Sequence, residues 1–227
     1  MGKNKDKNKD ICRQHLILCE GADATHFIIE YLNYLVENGE ERFDSFQVLD
    51  FGGNEELPRY LQILPNLKGY RTVRSITIIR DAERDHSKAI QSIRSSLGNN
   101  GFSVPMSINE IACAADIDNS TIKVAFTLFP TLSAHPENGT LEDLYTKNLA
   151  ESADELFEDI DTFISMLQSK GRSILRVHKS RLYTYFSVTN RYTALKLAET
   201  AKAGAFRFDC SEMNHLKLLL DEICNCD

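Results

Sequence analysis

Apolar residues follow two rhythms along the chain. Short apolar runs mark strands at HLILCE (15–20), FQVLDF (46–51), VRSITIIRD (73–81) and IKVAFTLFP (122–130). Between them the spacing turns helical. Phe27, Ile28, Tyr31, Leu32, Leu35 and Val36 predict a helix over 22–38 that closes at Gly39. Leu57, Tyr60, Leu61 and Leu64 predict a second over 54–68, with Pro58 early, where a first turn tolerates it. SKAIQSIRSSL (87–97) predicts a third, stopped by Gly98-Asn99-Asn100-Gly101. Strand–helix units in series imply an α/β fold. Its sheet should be mainly parallel, of about four strands, with right-handed crossovers and helices on both faces. From Gly139 onward no strand pattern recurs; LEDLYTKNLA, 152–169, 178–203 and 213–224 read as helices. The expected organisation is a tail over 1–10, an α/β core over 11–150 and a helical C-terminal part over 151–227. No internal repeat is visible.

Composition narrows the classes. The 227 residues carry 26 Lys and Arg against 33 Asp and Glu, a formal charge of -7. A nucleic-acid or membrane-binding surface must therefore be local. Six cysteines without a CxxC pair exclude a zinc ribbon and give no disulfide framework, which fits a reducing cytoplasm. No run approaches the ~18 apolar residues of a membrane span. A cytoplasmic protein without membrane attachment is expected.

Charge is unevenly placed. Between Thr162 and Ala198 there are seven cations and no acid: Lys170, Arg172, Arg176, Lys179, Arg181, Arg191 and Lys196. Tyr183, Tyr185, Phe186 and Tyr192 are interleaved with them. A basic strip with aromatics grips phosphates and stacks unpaired bases, so Arg172, Arg176, Lys179, Arg181 and Arg191 are candidate nucleic-acid contacts. The competing explanation is internal. The aromatics pack the helical part, and the cations pair with the nine acids of residues 137–161, where there is one Lys.

In an open parallel sheet, ligands gather at the carboxyl ends of the strands. Here those ends are acidic: Glu20-Gly21 with Asp23 following, and Asp81-Ala82-Glu83-Arg84-Asp85. Clustered carboxylates repel one another unless a cation joins them. Such hard oxygen donors suit Mg²⁺, or Mn²⁺ in its place. The turn Gly52-Gly53-Asn54 can bring backbone amides to a phosphate. Against this, strands often end in acids because the chain enters water there, and Asp23 and Asp85 also suit helix N-caps.

These residues carry a resemblance. ILCEGADATHFIIEYL, DFGGNEEL and ITIIRDAERD, in that order and each on an apolar strand, resemble the Toprim domain. That domain is the catalytic core shared by topoisomerases, primases and OLD-type nucleases. The resemblance gives Glu20 the role of general acid or base. It places Asp81 and Glu83 where the family's Asp-x-Asp pair holds Mg²⁺, although Glu83 is one methylene longer than the usual Asp. GTLEDLY (139–145) resembles the carboxylate segment that serves a second metal in OLD-type enzymes. Glu142 would be its ligand, with Asp143 as a helper, although Thr140-Leu-Glu-Asp also reads as a helix opening. Asp85, read from its place at the sheet edge, is a further candidate ligand of the second ion. With KSRLYTYFSV and RYTALKLAETAKAGAFRFD, the whole chain resembles a small stand-alone Toprim-like family of uncharacterised microbial proteins. No P-loop pattern occurs, unlike in full-length OLD proteins.

The expectation is a Mg²⁺-dependent nuclease, or related phosphodiester-cleaving enzyme, that works by metal-activated water on DNA or RNA. A homodimer would extend a substrate channel. The rival from another class is a non-catalytic Toprim-like module that binds nucleic acid or a protein. A third reading, a receiver fold phosphorylated on Asp81, fits the Gly-Gly turn and the long C-terminal part poorly. Cys224 and Cys226 are too few for a zinc site. His86 lacks company, and Ser133 with His135 lacks an acid partner.

Overall fold

The structure is a computed structural model and describes residues 10–115, 121–150 and 155–225. Of the expected N-terminal tail, residues 1–9 lie outside the described residues, as does Cys226. Asp10 is anchored: its carboxylate meets Lys68 Nζ at 3.0 Å and its carbonyl accepts from Gln47 Nε2.

Five strands form one sheet in the order β2-β1-β3-β5-β4. They are β1 (His15–Glu20), β2 (Phe46–Gly52), β3 (Ser75–Asp81), β4 (Ala112–Ala115) and β5 (Thr121–Phe129). The first four positions in that order are parallel, and only β4 runs antiparallel, against β5. The mainly parallel α/β fold read from the sequence is present, with five strands rather than four. The addition is β4, whose Ala-Cys-Ala-Ala has none of the branched or aromatic residues that announce a strand.

Alternation on the strands builds two apolar layers, since successive side chains point to opposite faces. Leu16, Leu18, Ile76, Ile78, Val124, Phe126 and Leu128 face one side, where α2 (Leu57–Ile63) and α3 (His86–Asn99) pack. Ile17, Cys19, Ile79, Ala125 and Phe129 face the other, beneath α1 (Gly21–Glu37). Right-handed crossovers require this split. The β1-to-β2 connection moves one way along the sheet, and the later connections move the other way. The point of reversal lies between β1 and β3.

The C-terminal helices cover the α1 face. They are α4 (Leu141–Ala150), α5 (Leu156–Ser169), α6 (Val177–Val188), α7 (Leu197–Thr200) and α8 (Ser211–Asn225). Their aromatics join the core of that face. Phe27 meets Phe206 edge-on at 4.9 Å and lies 6.2 Å from Phe129, while Phe157 stacks on Tyr185 at 4.6 Å. Tyr31 donates to the Met213 carbonyl at 2.7 Å, and the buried Lys123 on β5 donates to the Ile223 carbonyl at 2.9 Å. The single helix expected over 178–203 is broken. Ala194 has φ 67 and Lys196 is extended, so α6 ends at Val188 and α7 begins at Leu197. The helix expected over 54–68 shortens to α2, with 3-10 turns on either side.

Candidate functional site

Glu20 and Asp81 end the two strands that flank the reversal point, where the loops part to opposite faces and leave a crevice. A cavity of about 750 Å³ opens there, lined by Glu20, Gly53, Asp81, Glu83 and Asp143, together with Arg176 and Lys179. Three local devices shape it. Asp50 Oδ1 accepts the Gly52 amide at 2.7 Å and the Gly21 amide at 3.1 Å, which ties the end of β2 to the start of α1. Asp81 Oδ1 accepts the Leu141 amide at 2.9 Å, which ties the end of β3 to the opening turn of α4. Glu83 and Gly139 exchange backbone hydrogen bonds of 2.8 and 2.7 Å, which hold the loop after β3 against the loop before α4. Glu83 does this at φ 57, a left-handed conformation that costs an L side chain roughly 1–2 kcal/mol. Such strain persists where the surroundings hold it, often at functional sites.

The electrostatics are those of crowded acids. Burial raises Asp81, and Glu142, Glu20 and Glu83 raise it further; the Leu141 amide offsets only part, leaving it at about 8. Burial also raises Glu20, beyond what Arg80 and the Asp81 and Asn54 amides restore. Arg80 is itself buried beneath the site, with Nε 3.3 Å from Glu20 Oε2. Lys179 Nζ lies 2.8 Å from Glu142 and 3.9 Å from Asp23. Among the described residues, no three Asp, Glu, His or Cys side chains converge into a ready-made metal cage.

The residues singled out in the sequence divide accordingly. Glu20, Asp81, Glu83 and Asp143 share the cavity, and Glu142, nearly fully buried, joins them through its repulsion of Asp81 and its pair with Lys179. Asp143, in the first turn of α4, also bonds back to the residue before the helix, accepting the Thr140 amide and hydroxyl at 2.8 and 3.0 Å. Asp85 does not line the cavity. It caps α3 by accepting the Lys88 amide at 3.1 Å, and that bond holds its carboxyl below the ordinary range. Asp23 is not a cap, because α1 starts at Gly21 with Glu20 in the N-cap position. Of the phosphate turn, the Gly52 amide is occupied by Asp50 and the Asn54 amide faces Glu20. Gly53 lines the cavity with open space where a Cβ would stand.

The basic strip separates too. Arg176 and Lys179 face the carboxylates, whereas Arg172 is exposed outside the cavity. Arg181 forms a two-bond pair with Asp161 (2.6 and 2.7 Å) over the Phe157 ring, and Arg191 donates to the Ala203 carbonyl. Tyr185, Phe186 and Tyr192 are buried in the helical layer, as the packing explanation has it. Sequence reasoning missed Arg84, which lines the cavity, and Arg80 and Asp50, which brace it. A cation closing an apolar strand was the available signal for Arg80.

A family profile described as "Protein of unknown function (DUF3226)" matches residues 14–225. The chain belongs to the DUF3226 family. Every cavity-lining residue of this DUF3226 protein falls within the matched span. No curated protein matches the chain. Among solved structures, this DUF3226 protein is similar to the C-terminal region of the Burkholderia pseudomallei OLD protein. Identity is 13%, the TM-score is 0.41, and the match covers 94% of this chain and 100% of that one. Among its described residues, no helix is long and apolar enough to cross a membrane.

Proposed function

We propose that the chain is a Toprim-type phosphodiesterase, dependent on a divalent metal and acting on nucleic acid. The observation that carries this reading is the convergence of Glu20, Asp81, Glu83 and Asp143 on one cavity faced by Arg84, Arg176 and Lys179. Acids in excess suit a divalent cation, and cations lining the same cavity suit phosphate.

The donors fit Mg²⁺, or Mn²⁺, as an open site. Asp81 is crowded by three carboxylates and, among the described residues, forms no ion pair, which is the environment a metal ion relieves. Mg²⁺ commonly takes only one or two protein carboxylates, completing its shell with waters and substrate phosphates. Asp81 and Glu83 would hold it. Bound there, the ion would polarise a phosphoryl oxygen and lower the pKa of its water.

The protein's own groups supply the rest. Glu20 Oε2 faces Arg80, and the carboxylate, which also accepts the Asp81 and Asn54 amides, would take a proton from an incoming water. Arg84, Arg176 and Lys179 bind and orient the phosphates, and Gly53 lets the backbone come close to them.

The test is cleavage of single- and double-stranded DNA and RNA with Mg²⁺, with Mn²⁺ and with EDTA. Turnover should require metal and fall at least 100-fold in both Glu20→Gln and Asp81→Asn, the order expected for losing a general base or a metal ligand. That no three-donor cage is found among the described residues favours a second reading, a non-catalytic binding module. Oligonucleotide binding without turnover, indifferent to EDTA and to Glu20→Gln, would establish that reading instead.

A further inference from the structure

The carboxylates around the cavity differ in the positive group that answers them. Asp50 spends one oxygen on two backbone amides, and Asp143 accepts the Thr140 amide and hydroxyl. Glu20 is answered by Arg80, whose side chain is only 2% exposed. Arg80 Nε and Glu20 Oε2 are both buried, and neither has a hydrogen-bond partner; they face each other across 3.3 Å as charges. The other contact of the guanidinium is Nη1 to Ser92 Oγ on α3, at 3.4 Å. A guanidinium does not give up its proton, so this buried cation is permanent.

Glu142, with its side chain 3% exposed, is answered by Lys179 at 2.8 Å, and the same ammonium lies 3.9 Å from Asp23. Among the described residues, Asp81 has the Leu141 amide on Oδ1 but no side-chain cation, and no Lys or Arg stands within ion-pair distance of Glu83 either. At the end of β3 and in the loop after it, Asp81 and Glu83 would meet an incoming ion without displacing a resident cation.

Building on the metal-dependent reading above, we infer that the site takes a single divalent ion, at Asp81 and Glu83. Arg80 and Lys179 are resident counter-ions that occupy the electrostatic place of a second. A second ion would have to displace Lys179 from Glu142 or share Glu20 with a cation that cannot leave. Lys179 is the removable one, since it is one-third exposed and reaches its partners from α6, whereas Arg80 is fixed within the sheet.

The experiment counts ions without substrate. The full chain is titrated with Mn²⁺, with bound ion measured by calorimetry and free ion by electron paramagnetic resonance. Wild type, Asp81→Asn and Lys179→Met are compared after far-UV circular dichroism has shown each to be folded. Wild type should bind one Mn²⁺ per chain, and Asp81→Asn should bind it at least tenfold more weakly. Lys179→Met should bind two, because Glu142 and Asp23 lose their ammonium. Two ions in wild type would overturn the single-ion inference and leave the metal-dependent reading standing. One ion in Lys179→Met would overturn the role given to Lys179. No ion in any variant would overturn the metal-dependent reading as well.

Discussion

Burial and its acidic neighbours push Asp81 up to about 8, whereas an aspartate in an unfolded chain titrates near about 3.9. Between those values the native protein holds a proton that the unfolded chain has released. Metal-free stability from this residue therefore declines as pH rises from about 4 to 8. Asp81→Asn removes the term, so in EDTA at pH 8 it should melt higher than wild type. The gain should be on the order of 1–3 kcal/mol, roughly 2–10 °C, and should shrink toward pH 5. Melts in EDTA across that range check it. Mg²⁺ should then raise the wild-type melting temperature and leave that of Asp81→Asn unmoved. Glu83 carries backbone strain at φ 57. Glu83→Gly relieves the left-handed backbone at some cost in unfolded-chain entropy, so its melting temperature should hold within about 2 °C of wild type. Glu83→Val should lose about 1–2 kcal/mol, because a branched side chain suits positive φ poorly. Both should lose metal-dependent turnover, which separates strain from function at one position.

Secondary-structure elements sort the basic residues more sharply than charge counting does. Arg181 ties α6 to α5 through Asp161, and Arg176, one residue before α6, faces the carboxylates. Arg181→Ala should lower stability by about 0.5–1 kcal/mol and leave oligonucleotide affinity within about twofold. Arg176→Ala should leave stability unchanged and reduce both the affinity and its salt dependence. Fluorescence anisotropy at two salt concentrations, beside thermal melts, checks the pair. The sequence shows that residues 162–198 are basic but not which cations turn inward, because that depends on partners such as Asp161 and Ala203 contributed from other segments. By contrast, β1, β3 and the acids that end them are legible, since burial on both faces leaves unbroken apolar runs and their termini stand out. Strand β4 is illegible for the opposite reason, being short, built of small residues and paired on one side only. Arg80 escapes notice because a strand-end cation reads as solvated until α3 and Glu20 are seen to enclose it.

At the scale of the whole molecule, the apolar layer under α1 is shared by residues from β1 through α8. Phe27 touches rings from β5, α4 and the segment before α8. Phe27→Ala should cost about 3–5 kcal/mol. Urea unfolding of the wild type should show one transition, coincident by far-UV circular dichroism and tyrosine fluorescence. The expectation of a boundary near residue 150 concerns this layer, and two separated transitions would show that the helical part folds apart from the sheet. Lys123 extends the connection to the far end of the molecule, away from the cavity. Its ammonium, on β5, is held by the carbonyl of Ile223 in the last turn of α8. A stop codon that removed residues after Leu220 would therefore reach past the surface and take away both a carbonyl that holds this buried ammonium and the buried Ile223 side chain. The cell's proteases would meet that product as a misfolded protein rather than as a slightly shorter one.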